Sequence, residues 1–169
     1  MNIQTKRTFD SFLKENGHYI LVGHTKMKNH CDCYNTSTKE GDPNCPYCFG
    51  VGWNYRWYAT KARRTQHGES LSSSSDRMEL DAPIKFSGNT FKYYVKTEND
   101  INDFDLLIEF DIPENRQEYN LYLVSNHMVF RGEKGNPVYK GILAIRIVID
   151  YNQIVKSLKL LNIEDLEEV

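Results

Sequence analysis

Apolar residues recur at two different periods along this chain, and the changes of period mark out its elements. Phe9, Phe12 and Leu13 fall at helical spacing. They predict a two-turn helix capped by Thr8 and stopped at Asn16-Gly17, behind a polar, loose stretch at residues 1–7. A helix that short has to dock on something. Residues 18–22 are bulky and β-favouring and read as a strand that Gly23 ends or bulges. Trp53, Tyr55 and Trp57 occupy alternate positions, which predicts a strand with one aromatic face and Arg56 on the other.

From Met78 onward the pattern becomes a succession of short strands, at residues 78–84, 90–96, 105–111, 118–125, 128–131 after a kink at Asn126, and 138–151. Ile154, Leu158 and Leu161 return to a helical period over residues 152–161. The expected fold is therefore mainly β. It is a small antiparallel barrel or sandwich with a short N-terminal helix, an inserted metal-binding lobe and a short C-terminal helix. The expected organisation is an N-terminal helix and strand (1–28), a lobe with its aromatic and basic strand (29–68), a flexible serine-rich linker (69–77), a barrel core (78–151) and a C-terminal helix with an acidic tail (152–169).

Composition narrows this picture. The chain has 169 residues, enough for one domain with a core of its own. Its 21 basic and 23 acidic residues give a formal net charge of -2, which disfavours a globally basic nucleic-acid binder but leaves room for a local patch. No apolar run approaches the roughly 18 residues needed to span a bilayer, and no cleavable targeting segment is visible, so the expected setting is a reducing cytoplasm without membrane contact.

All four cysteines lie between His30 and Trp53, as Cys31-x-Cys33 and Cys45-x-x-Cys48. Two short-spaced thiolate pairs can close a tetrahedron around one ion. The expected occupant is a structural zinc held by Cys31, Cys33, Cys45 and Cys48, with His30 as a substitute ligand. Gly50 and Gly52 stand where a metal-binding turn needs positive φ. Two disulfides, a redox Cys-x-x-Cys and four unrelated thiols are the competing readings.

Tyr55, Arg56, Trp57, Lys61, Arg63 and Arg64 could form a stacking and phosphate-binding surface for nucleic acid beside the lobe, or an edge that faces another subunit. The acidic residues Glu164, Asp165, Glu167 and Glu168 are candidate partners for Arg63 and Arg64. Asp81, Asp105, Glu109 and Asp111 are spaced as solvated strand ends would be. The phosphate-loop, dinucleotide, zinc-hydrolase and nucleophile-elbow motifs are all missing from the sequence, so no enzymatic activity is expected.

Two resemblances add to this reading. Cys45-Pro46-Tyr47-Cys48-Phe49-Gly50-Val51-Gly52 resembles one half-repeat of the zinc domain of DnaJ-type chaperones. The strands between Phe104 and Asp150, opening on Phe104-Asp105-Leu106-Leu107-Ile108 and followed by Glu118 to Val124 and Tyr139 to Ile149, resemble the small barrels of bacteriophage head-completion and head-closure proteins. That second likeness implies a structural virion protein of the neck, a head-to-tail connector made in the host cytoplasm. It would form a ring of six or twelve copies between portal or adaptor and tail proteins, with DNA passing through its channel.

Overall fold

A computed structural model of the chain describes residues 3–66, 90–111, 118–132 and 135–160. Helix α1 (Ile3–Asn16) leads into six strands, β1 (His18–His30), β2 (Trp53–Gln66), β3 (Thr90–Val95), β4 (Leu106–Asp111), β5 (Glu118–Arg131) and β6 (Pro137–Ile147), followed by helix α2 (Tyr151–Leu160). Every strand pairs antiparallel with two others, in the order β1-β2-β3-β6-β5-β4 and back to β1. The sheet thus closes on itself as a barrel, and the choice between barrel and sandwich falls to the barrel. Closure removes both sheet edges, so none of the described strands is left as a template for further pairing.

Alternation along each strand decides what fills this barrel. Ile20 and Val22 of β1, Tyr93 and Val95 of β3, Leu107 of β4, Tyr122 and Val124 of β5, and Ile142 and Ala144 of β6 point inward as one buried cluster. Six strands enclose a space that side chains alone can fill, so the interior is packed rather than hollow. The intervening residues face outward, and two separate layers cover them. Phe9 and Leu13 of α1 lie on Tyr94, Phe130 and Tyr139, with the Phe9 and Tyr139 rings stacked at 4.8 Å. Ile154 and Leu158 of α2 lie on Leu21, Leu106, Ile108 and Leu121.

Several boundaries differ from the sequence expectation. Helix α1 begins at Ile3 rather than behind Thr8. Residues 3–8 contain neither Gly nor Pro to stop a helix, and Lys6 forms an ion pair with Glu98. Strand β1 runs through Gly23 to His30, paired with β2 across Gly23, and position 23 is glycine because a Cβ there would lie 2.8 Å from the Trp57 indole. Strand β2 extends to Gln66, so β1 and β2 are two staves of the barrel itself and residues 31–52 are an insertion in their hairpin. The kink at Asn126 is a register shift between Val124 and Asn126 inside one continuous β5. Strand β6 stops at Ile147, short of Tyr151. The expected serine linker, the strand at 78–84 and the acidic tail lie outside the described residues.

Asp105 and Glu109, expected at solvated strand ends, are both buried. Both fall on the inward side of the β4 segment, one at each end of the barrel. Glu109 Oε1 lies 2.6 Å from His18 Nε2, and its Oε2 accepts hydrogen bonds from Arg64 at 2.6 Å and from the hydroxyls of Tyr93 and Tyr122 at 3.1 Å. At the other end Asp105 accepts the Thr25 N–H at 2.7 Å and the Asn102 N–H at 2.8 Å, with His24 Nδ1 at 3.0 Å. A buried charge is tolerated only when partners replace water, and each carboxylate has at least three.

The two respond to protons in opposite senses. Burial penalises the charge on Glu109, but His18 and Arg64 overcome it and hold the carboxyl below its ordinary value of 4.5. Burial of Asp105 wins over its N–H and histidine partners, and its carboxyl is raised above 3.8. Glu109 therefore contributes stability that is present above about pH 4.5 and lost as pH falls through its lower folded value. Asp105 contributes a cost that is relieved as pH falls through its raised value.

Replacing Glu109 by Gln should cost about 2–3 kcal/mol at pH 7, because Arg64 and His18 lose their counter-charge while both stay a third open to water. The loss should shrink on going from pH 7 to pH 3.5. Thermal melts of both proteins at the two pH values measure this.

Candidate metal centre

The β1–β2 insertion is held by a series of tight turns. Tyr34 N donates to Cys31 O at 2.8 Å, Cys45 N to Asp42 O at 2.9 Å, Phe49 N to Cys45 O at 3.0 Å and Val51 N to Cys48 O at 3.0 Å. Cys31 N donates to Gly52 O at 3.0 Å, closing the insertion where it leaves the barrel. Gly50 and Gly52 have φ of 84° and 83°, as the spacing implied, and Phe49 between them and Cys48 is held at 52°.

These turns bring the four thiols together. The Sγ atoms of Cys31, Cys33, Cys45 and Cys48 all lie within 4.8 Å of one another and none is in a disulfide. Cys31 and Cys45 are 3.7 Å apart, and Cys33 and Cys48 are 3.3 Å apart. Four sulfurs at about 2.3 Å from one ion would be about 3.8 Å from each other, so the cluster has the size of a tetrahedral metal site. The disulfide and unrelated-thiol readings do not describe this arrangement.

Burial and backbone donors act on the sulfurs in opposite directions. Burial pushes the Cys31 and Cys48 thiols up, so two dry sulfurs are held as thiols unless a cation joins them. Cys45 is also penalised by burial, but the N–H groups of Tyr47 and Cys48 hydrogen-bond toward its sulfur and carry it below its ordinary value. The Gly52 N–H acts in the same direction on Cys48. Backbone donors aimed at sulfur are what a thiolate bound to metal uses to spread its charge. His30 is outside the cluster, with its ring stacked between Tyr34 at 3.7 Å and Trp53 at 4.1 Å.

The lobe folds back on the barrel. Phe49, one residue beyond Cys48, is buried in the same outer layer as Leu21, Leu106, Ile108, Leu121, Ile154 and Leu158, and Val51 packs beside it. The Phe49 ring meets Trp57 edge-on at 6.2 Å. Gln153 of α2 donates to Pro43 O at 3.2 Å. The four cysteines thus sit above a core shared by the lobe, the barrel wall and α2.

The aromatic and basic strand finds other uses. Tyr55 and Trp57 line the outer layer under the lobe. Lys61 Nζ donates to Lys14 O at 3.4 Å and Arg63 to Asn16 O at 3.2 Å, where the last carbonyls of α1 lack helical partners. Arg64 reaches inward to Glu109. Three of the four basic side chains reach the protein's own backbone or core, although Arg63 stays exposed, as Arg56 does. The inward carboxylates Asp105 and Glu109 were the residues that sequence reasoning misplaced. The alternation Asp105-x-Leu107-x-Glu109, with both acids on the side that carries Leu107, was the available signal.

No family model matches the chain, and no curated protein matches its sequence. Among the described residues no helix is long and apolar enough to cross a membrane.

Phe49→Ala should cost about 3 kcal/mol, the range for emptying a buried aromatic site, and should loosen the lobe and α2 together. Amide hydrogen exchange should show faster exchange in residues 31–52 and 151–160, with the β3–β6 hydrogen bonds unchanged.

Proposed function

We propose that this protein is a structural adaptor, a zinc-stapled β-barrel that assembles into a ring of six or twelve copies in the neck of a tailed bacteriophage. One observation carries the mechanical part of this reading: the four-cysteine lobe and α2 roof the same barrel wall, so an ion bound there stiffens the whole body. Zinc would be held by Cys31, Cys33, Cys45 and Cys48. With four protein thiolates it has no position left for a reacting water, and its contribution is to the fold. The role is assembly rather than turnover.

The virion setting rests on the likeness of the strands between Phe104 and Asp150 to head-completion barrels. A closed barrel with covered walls and filled interior suits a ring subunit that has to keep its shape under load. Portal or adaptor proteins on one side and tail proteins on the other are the partners this reading names. The commitment of Lys61, Arg63 and Arg64 within the chain favours subunit and fold contacts over phosphate binding for that strand.

Native mass spectrometry with and without a chelator tests the reading. One zinc per chain and a ring of six or twelve copies are expected, with loss of both on chelation. Cys45→Ser should lower the melting temperature and impair assembly. A metal-free protein that assembles as well as the loaded one would refute the staple, and a monomer at every concentration would refute the ring.

A further inference from the structure

Phe104 stands out in its backbone and in its exposure. Its φ is 71°, a left-handed conformation in which a bulky side chain is strained and glycine is at home. The surroundings enforce it. Phe104 N donates to Val124 O at 2.9 Å, Tyr55 donates to Phe104 O at 3.3 Å, and Asp105 on its C-terminal side is fixed inside the barrel. The Phe104 ring is nonetheless 53 % exposed. The loop around it carries the carboxylates Asp100, exposed and 3.4 Å from His24 Nε2, and Asp103, half-buried and 2.8 Å from His127 Nδ1.

At the opposite end of β4 the surface has the complementary form. A shallow cleft with room for about 50 Å³, open to solvent, is lined by Tyr119, Leu121, Arg146, Ile147, Val148 and Ile149 among others. It is far below the roughly 300–1,000 Å³ of a small-molecule site and offers a seat for the edge of a single side chain. Val148 on its rim is 87 % exposed, the most open of the large apolar residues described. Arg146 supplies a cation for the face of an aromatic ring and for a carboxylate beside it. Asp150, also near this end, caps the first turn of α2 through the Asn152 N–H at 3.0 Å.

Phe104 and the cleft are about 20 Å apart along β4, so they cannot meet within one chain. They can meet between two. We infer that Phe104 of one copy packs the edge of its ring on the Arg146–Val148 cleft of the next, with Asp100 and Asp103 facing Arg146. This is a heterologous contact, in which each copy uses one end to give and the other to receive, and repetition closes a ring when the rotation allows. The inference rests on the ring proposed above and names its joint.

Sedimentation velocity and native mass spectrometry of the full chain test it, on wild type, Phe104→Gly, Arg146→Glu, Asp100→Lys and the Asp100→Lys/Arg146→Glu pair. Phe104→Gly should melt no lower than wild type, since glycine relieves the backbone, while self-association weakens by roughly tenfold or more, as for an aromatic anchor at an interface. That combination separates the joint from a mere loss of folding. Each charge reversal should weaken association and the pair should recover part of it. A wild type that forms rings while Phe104→Gly and Arg146→Glu assemble equally well would overturn this contact and leave the ring standing. A wild type that stays monomeric would overturn the ring and the joint together.

Discussion

The closure of β1 onto β4 is the constraint on which the rest depends. Ile20 pairs with Glu109, Leu21 with Ile108 and Val22 with Leu107, and with these pairs the six strands become a ring without edges. Because side chains alternate, the same ladder divides the residues of both strands between an inner and an outer core. Val22 and Leu107 go in. Leu21 and Ile108 go out, and a barrel wall bearing apolar residues on its outside needs a cover.

Two helices and the four-cysteine lobe provide that cover, and this gives the lobe its place in the fold. Phe49 and Val51 enter the outer layer with Ile154 and Leu158, so the lobe and α2 are folded against each other as well as against the barrel. The turns around the cysteines have little core of their own. Their rigidity comes from below through Phe49 and, under the proposed function, from the ion above.

The polar interior follows the same logic at the ends of the barrel, where a purely apolar filling would meet water. Glu109 with His18 and Arg64 closes one end and Asp105 with His24 closes the other. The hydroxyls of Tyr93 and Tyr122 turn toward Glu109 and continue the apolar core into this polar cap. Lys140 is likewise drawn inward to the carbonyls of Asn99 and Ile101, tying the Phe104 loop to β6. The loop's unusual backbone is therefore held from several sides.

The amino-acid sequence by itself determined the mainly β class, the two terminal helices and the cysteine cluster. Local rules suffice for these: period-2 alternation makes strands, Ile154 and Leu158 mark one face of a helix, and two short-spaced thiol pairs on one loop can close around one ion. Only the tertiary structure decided the rest. Strand pairing over long sequence separations closed the barrel and recruited β1 and β2 into it, a choice that alternation alone cannot make. Burial turned Asp105 and Glu109 from expected surface acids into the barrel's two polar caps. Proximity to the end of α1 and to Glu109 gave Lys61, Arg63 and Arg64 partners within the chain. In each case the side chain's identity was legible, while its role depended on which distant backbone arrived beside it.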